Sequence, residues 1–154
     1  MQRSTLIEKP PMNATLETPN GALTMKGQRT KPPILLHALP DTPDAAALAH
    51  YLEARKCVLF AVHSPDELRL RFLRERPTAV LLPATLGTES AWLMTAKLRT
   101  CDPDARVVVL CESATAHEVS LGRFVGAGAV MSASASPAAI GNQLFGPSFG
   151  CSDN

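Results

Sequence analysis

From residue 33 onward, short apolar runs alternate with amphipathic stretches. The runs are Ile34-Leu35-Leu36, residues 58–62, residues 79–82, residues 106–111 and residues 126–131, the last following a glycine helix stop. Uninterrupted apolar runs of this length predict strands buried on both faces. Between them, Asp41-Thr42-Pro43-Asp44 has the signs of a helix start with proline in the first turn. Ala45, Leu48, Ala49 and Leu52 then fall at i, i+3, i+4 and i+7. Ser64-Pro65-Asp66-Glu67 predicts a capping box with proline at N1, and Leu68, Phe72 and Leu73 are expected to face the core. A third helix is predicted over 88–100, with Trp92, Leu93, Ala96 and Leu98 inward. A fourth is predicted over 114–125, with Val119, Leu121 and Phe124 inward. Ser136-Pro137 opens a short last helix to about Phe145.

Five strand–helix units imply an α/β fold, a doubly wound five-stranded parallel sheet in the order 2-1-3-4-5. In such a sheet, ligand chemistry sits outside the carboxyl ends of the strands. A domain of this size buries roughly two-thirds of its unfolded surface and needs neither disulfides nor metal to fold.

Residues 1–32 lack this pattern. They hold Pro10, Pro11, Pro19 and Pro32, and five basic against two acidic residues. They cannot bury enough apolar surface to offset ordering, and are expected to be a disordered, Pro-rich basic tail. The expected organisation is that tail, a domain over 33–145 and a C-terminal tail over 146–154. The formal net charge of the whole chain is +1, which argues against nucleic-acid binding through bulk charge. No apolar run approaches membrane-spanning length and the start lacks a signal peptide's apolar stretch, so a cytoplasmic protein is expected. Cys57, Cys101, Cys111 and Cys151 have neither C-x-x-C nor metal-ligand spacing, which fits free thiols in a reducing compartment.

The strand ends read His37-Ala38-Leu39-Pro40, Leu82-Pro83-Ala84-Thr85, Cys111-Glu112-Ser113 and Ser132-Ala133-Ser134. Phosphoryl chemistry with Mg²⁺ needs converging carboxylates and a cation or hydroxyl for the phosphate oxygens. These ends offer no carboxylate pair and no lysine. There is no Gly-rich phosphate loop and no nucleophile elbow. Proline cannot donate to a sheet ladder, so Pro83 is expected at a strand end.

Residues 33–145 resemble a response-regulator receiver domain, of the CheY-like fold and of the subgroup joined to a LuxR-type DNA-binding domain. The resemblance is carried by residues 76–83 (RPTAVLLP), Lys97-Leu98-Arg99 and residues 126–137 (GAGAVMSASASP). It implies a bacterial two-component signalling protein. The phosphoacceptor aspartate aligns with Pro83, and the acidic pair with Ala38 and Leu39. The hydroxyl residue aligns with Cys111, the lysine with Ala133 and the aromatic switch residue with Val130. With that set replaced together, the resemblance implies a degenerate, phosphorylation-independent pseudo-receiver, with no catalytic residue, cofactor or metal. It also implies contact with a protein partner, or a homodimer, through the fourth helix, fifth strand and fifth helix. His117, Ser120, Arg123 and Val130 are the candidate members of that face.

The remaining polar groups have ordinary readings. Arg69, Arg71, Arg74 and Arg76 belong to a solvated helix face balanced by Asp66, Glu67 and Glu75. His37, His63 and His117 have no visible nucleophile partner, and Glu89 and Glu112 fit surface or capping carboxylates. Two other functional readings stand beside the pseudo-receiver. One is a transcription-associated regulator touching nucleic acid or transcription machinery through the tail or a partner, although direct nucleic-acid contact is not favoured. The other is a small flavodoxin-like ligand binder or enzyme.

Overall fold

The computed structural model describes residues 31–146. The elements in chain order are β1 (Ile34–His37), α1 (Pro43–Ala54), β2 (Val58–Ala61), α2 (Pro65–Glu75), β3 (Ala79–Pro83), β4 (Thr85–Leu86), β5 (Glu89–Ser90), α3 (Ala91–Cys101), β6 (Val107–Cys111), α4 (Ala116–Val125), β7 (Ala129–Ser132) and α5 (Pro137–Phe145). Of the described residues, those from Pro33 to Gly146 belong to one unit. The expected tails over 1–32 and 146–154 lie, but for Lys31, Pro32 and Gly146, outside the described residues.

β1, β2, β3, β6 and β7 form one parallel sheet in the order β2-β1-β3-β6-β7. Counting those five alone, this is the expected 2-1-3-4-5. Alternate side chains of each strand enter opposite layers. Leu36, Val80, Leu82, Val107, Val109 and Cys111 pack with Leu68, Phe72, Met94 and Leu98, so α2 and α3 cover one face. Leu35, Ala79, Leu81, Val108 and Leu110 pack with Leu48, Leu52, Ile140 and Leu144, so α1 and α5 cover the other. The helices on both faces explain why the strands carry apolar runs instead of alternation.

Each helix start is fixed by a short polar side chain. Thr42, Ser64, Ser90, Thr115 and Ser136 accept the N3 backbone N–H of α1 to α5 respectively. The expected capping box at Ser64 is only half formed. Ser64 Oγ accepts from the Glu67 N–H, but the Glu67 carboxylate accepts from the His63 N–H at 2.7 Å instead of from Ser64. The complete box belongs to α4, between Thr115 and Glu118.

Four further sequence expectations are corrected. β4 and β5 form a separate antiparallel hairpin turned at Gly87 (φ 61°), so the third helix starts at Ala91 and not at residue 88. Leu73 is 60% exposed, because Leu68 and Phe72, four apart, define the inward stripe and Leu73 lies about 100° round from it. Leu93 is 47% exposed; α3 turns Ala91, Met94, Thr95 and Leu98 inward. Phe124 is 88% exposed, because α4 approaches the sheet through Gly122.

Candidate functional site

The parallel register brings the ends of β1, β3, β6 and β7 to one edge of the sheet. Their backbone groups there are largely occupied. The Ala38 N–H donates to Leu81 O at 3.1 Å, Val62 to His37 O at 2.8 Å and Ala133 to Cys111 O at 2.7 Å. Pro83 is the last residue of β3, opposite Leu110 of β6. Its missing N–H falls where the ladder ends, as expected for proline.

The five positions singled out at this edge separate by face. Ala38 and Cys111 are buried in the layer of α2 and α3. Leu39, Pro83 and Ala133 line a cavity of about 340 Å³ on the opposite side, between α1 and α5. Its floor is Leu48, Leu110 and Ile140, all buried. Its rim carries Thr42, Asp44, Ser134 and Ser136. Among the described residues, Asp44 is the only charged one that lines it. The cavity escaped sequence reasoning because its two walls, residues 39–48 and residues 133–140, lie at opposite ends of the domain's sequence, and only the shared apolar strand-end pattern hints at it.

The chemistry of this edge is that of hydrophobic contact. Cys111 is no nucleophile: burial first, then the Glu118 charge and a hydrogen bond with it, push its thiol up to about 11. Ser132 Oγ and Ser134 Oγ lie 2.8 Å apart and share a hydrogen bond. Glu89 does not reach the edge as a free acid, because its Oε2 accepts from Lys97 Nζ at 2.8 Å. Glu112 is exposed. Among the described residues, no three His, Cys, Asp or Glu side chains come together as metal ligands.

The other candidates sit elsewhere. His37 ends β1, and burial, followed by the nearby His63 charge, lowers its pKa against a smaller raising effect of Glu53. His63 pairs with Glu67 (Nδ1–Oε1 3.4 Å). Arg69 pairs with Asp66 and Arg71 with Glu75, both at 3.2 Å, so these two arginines are balanced on their own helix. The Arg71 guanidinium also lies 5.0 Å from the centre of the Phe60 ring. His117, Ser120 and Arg123 are exposed on α4, beside Phe124. Val130 is half-buried beneath Gly122. Trp92 is half-buried and packs against the layer of α2 and α3.

Comparison with solved structures decides the architecture. A response regulator of Chloroflexus aurantiacus J-10-fl superposes with a TM-score of 0.66 at 18% identity, covering 74% of this chain and 98% of the other. A Burkholderia pseudomallei response regulator, solved with a phosphorylated aspartic acid, calcium ion and citrate, gives 0.63 at 24% identity, over 74% and 66%. The receiver domain of Klebsiella pneumoniae RstA gives 0.60 at 22%, over 70% and 90%. The fold is the receiver fold. No family model matches the chain, and no curated protein does. The receiver fold accounts for the sheet order, for the two helices on one face and three on the other, and for the edge at which the strand ends meet.

Proposed function

We propose that the chain is a pseudo-receiver: a signalling module of receiver fold that acts in the cytoplasm through protein contacts, without aspartyl phosphorylation. The observation that carries this reading is the strand-end edge. The resemblance aligns the acceptor, acidic pair, hydroxyl and lysine with Pro83, Ala38 and Leu39, Cys111 and Ala133. The fold brings these positions to one edge, and there they are buried or line an apolar cavity. Forming an aspartyl phosphate requires a carboxylate nucleophile and a metal to neutralise the developing charge. Proline and alanine provide neither. The free thiols Cys57, Cys101 and Cys111 agree with a reducing compartment.

The contact face in this reading is α4, β7 and α5. His117, Ser120, Arg123 and the 88% exposed Phe124 give α4 an outer surface with one large apolar side chain. An exposed aromatic of this kind suits an anchor for a protein partner or a second copy of the chain.

Phosphoryl chemistry is tested with beryllofluoride, which mimics an aspartyl phosphate. Fluorine NMR with Mg²⁺ is expected to show no bound beryllofluoride, and intact-mass analysis after acetyl phosphate no phosphoryl adduct. Pro83→Asp is expected to behave in the same way, since the acidic pair and lysine remain absent. Mg²⁺-dependent beryllofluoride binding by the wild-type chain overturns the reading.

A further inference from the structure

We propose that the cavity between α1 and α5 binds an uncharged, mainly apolar small molecule of about two fused rings, and that this ligand takes the place of the phosphoryl group as the input signal. The proposal rests on the reading above, in which no phosphoryl group enters this edge. Size is the first argument. The cavity measures about 340 Å³. That lies at the lower end of the ~300–1,000 Å³ range of ligand sites. It is also about twice the ~150 Å³ cavity that takes up benzene. The floor of Leu48, Leu110 and Ile140 is buried and offers apolar contact to such a body.

Charge is the second argument. Two helices, α1 and α5, begin at this cavity, and a helix start ordinarily attracts an anion through its free N–H groups. Here most of those groups are removed. Pro43 and Pro137 occupy N1 and have no N–H. The N3 N–H groups of Ala45 and Ala139 are taken by Thr42 Oγ1 and Ser136 Oγ, each at 3.1 Å. The Thr42 N–H donates to Pro40 O at 3.0 Å. Asp44 adds a negative charge at N2 of α1. An anion therefore meets few donors and a repelling carboxylate. The Thr42 and Ser136 hydroxyls accept these bonds and keep their own protons to donate, which suits a ligand with one acceptor oxygen.

Position is the third argument. The cavity lies between the first and last helices, so an occupant ties α5 to α1. α5 is also one border of the proposed contact face, which gives the ligand a physical route to the partner.

The test uses the full chain, ¹⁵N-labelled, at pH 7. 2-Naphthol is the probe, and 2-naphthoate is its anionic counterpart. 2-Naphthol is expected to shift the amides of residues 45–48 and 133–140 saturably, and 2-naphthoate to bind at least tenfold more weakly. Ala133→Phe and Ala47→Phe each place a ring at an exposed edge of the cavity and are expected to weaken 2-naphthol binding at least tenfold. Their amide spectra away from the cavity should stay unchanged. Unsaturable or scattered shifts, equal binding of the naphthoate, or wild-type affinity in both variants overturns the proposal. Beryllofluoride added to a second aliquot reports separately on the phosphorylation-independent reading, because it shows its own fluorine signal whatever the naphthol does.

Discussion

Cys111 and Cys57 illustrate how far burial alone sets side-chain chemistry in this protein. Burial, followed by the Glu53 charge, raises Cys57 to about 12, and Cys111 lies at about 11. The thiolate is the reactive form, so Cys57 and Cys111 are unreactive at neutral pH, whereas Cys101 is exposed to reagent. In a Cys151→Ser background, DTNB is expected to titrate one thiol rapidly in the folded protein and the other two only after denaturation. A second fast thiol would contradict the packing of β6 or of the turn before β2. His37 titrates in the opposite sense to a stabilising ion pair. Its folded pKa is depressed below 6.5 by burial and then by His63. Below about pH 6.5 the unfolded chain takes up a proton that the folded chain resists, so stability falls as pH drops. The urea midpoint is expected to decline below that pH, and His37→Gln should flatten the decline. At this scale the sequence was informative about identity and silent about surroundings. Pro83 and Ala133 follow apolar runs, which place them at strand ends, and the family resemblance supplies the positions they align with. Nothing local distinguished Leu39, which lines the cavity, from Ala38, which is buried on the other face.

The contact of α4 with β7 depends on one missing side chain. A Cβ on Gly122 would collide with Cγ2 of Val130 and lie 3.5 Å from the Trp92 ring. Gly122→Ala gains up to ~1 kcal/mol of helix propensity. It loses ~1–3 kcal/mol to overpacking. The net expectation is destabilisation by about 1–2 kcal/mol in urea unfolding. Val130→Ala makes room, so the double variant should be at least ~1 kcal/mol more stable than the sum of the single effects. Additivity would show that the two residues do not meet. Gly122 also explains which elements were legible. Helix starts depend on Thr42, Ser64 and Ser136 acting on N–H groups three residues away, a short-range signal that is visible in sequence. The buried side of a helix depends on what packs against it. A glycine and Thr95 mark the buried sides of α4 and α3. Gly122 carries no apolar signal and Thr95 interrupts the stripe of Ala91, Met94 and Leu98, so the large apolar side chains of Phe124 and Leu93 give the stronger local sign of burial although both are exposed. The β4–β5 hairpin was missed because two-residue strands are too short for any period.

At the scale of the whole domain, the sheet is, among the described residues, the structure shared by both apolar layers. Leu81 belongs to the layer of α1 and α5, and its neighbour Leu82 to the layer of α2 and α3; both are fully buried. Trp92, the single tryptophan, packs against the second layer only. A small domain ordinarily unfolds in one cooperative step, and here the physical link is the β1-β3-β6 ladder that anchors both layers. Leu81→Ala opens a void on the side of the sheet opposite to Trp92 and is expected to cost ~2–5 kcal/mol. If the layers unfold together, the urea midpoint read by Trp92 fluorescence must fall by the same amount as the midpoint read by far-UV circular dichroism. A fluorescence midpoint left at its wild-type value while the dichroism midpoint falls would mean that the layers come apart separately. Coincident midpoints would mean that the two layers share one unfolding equilibrium, so that neither keeps its packing without the other. The proposed route from the cavity to the contact face runs through α5, and its extension to the α4 part of that face depends on this shared sheet.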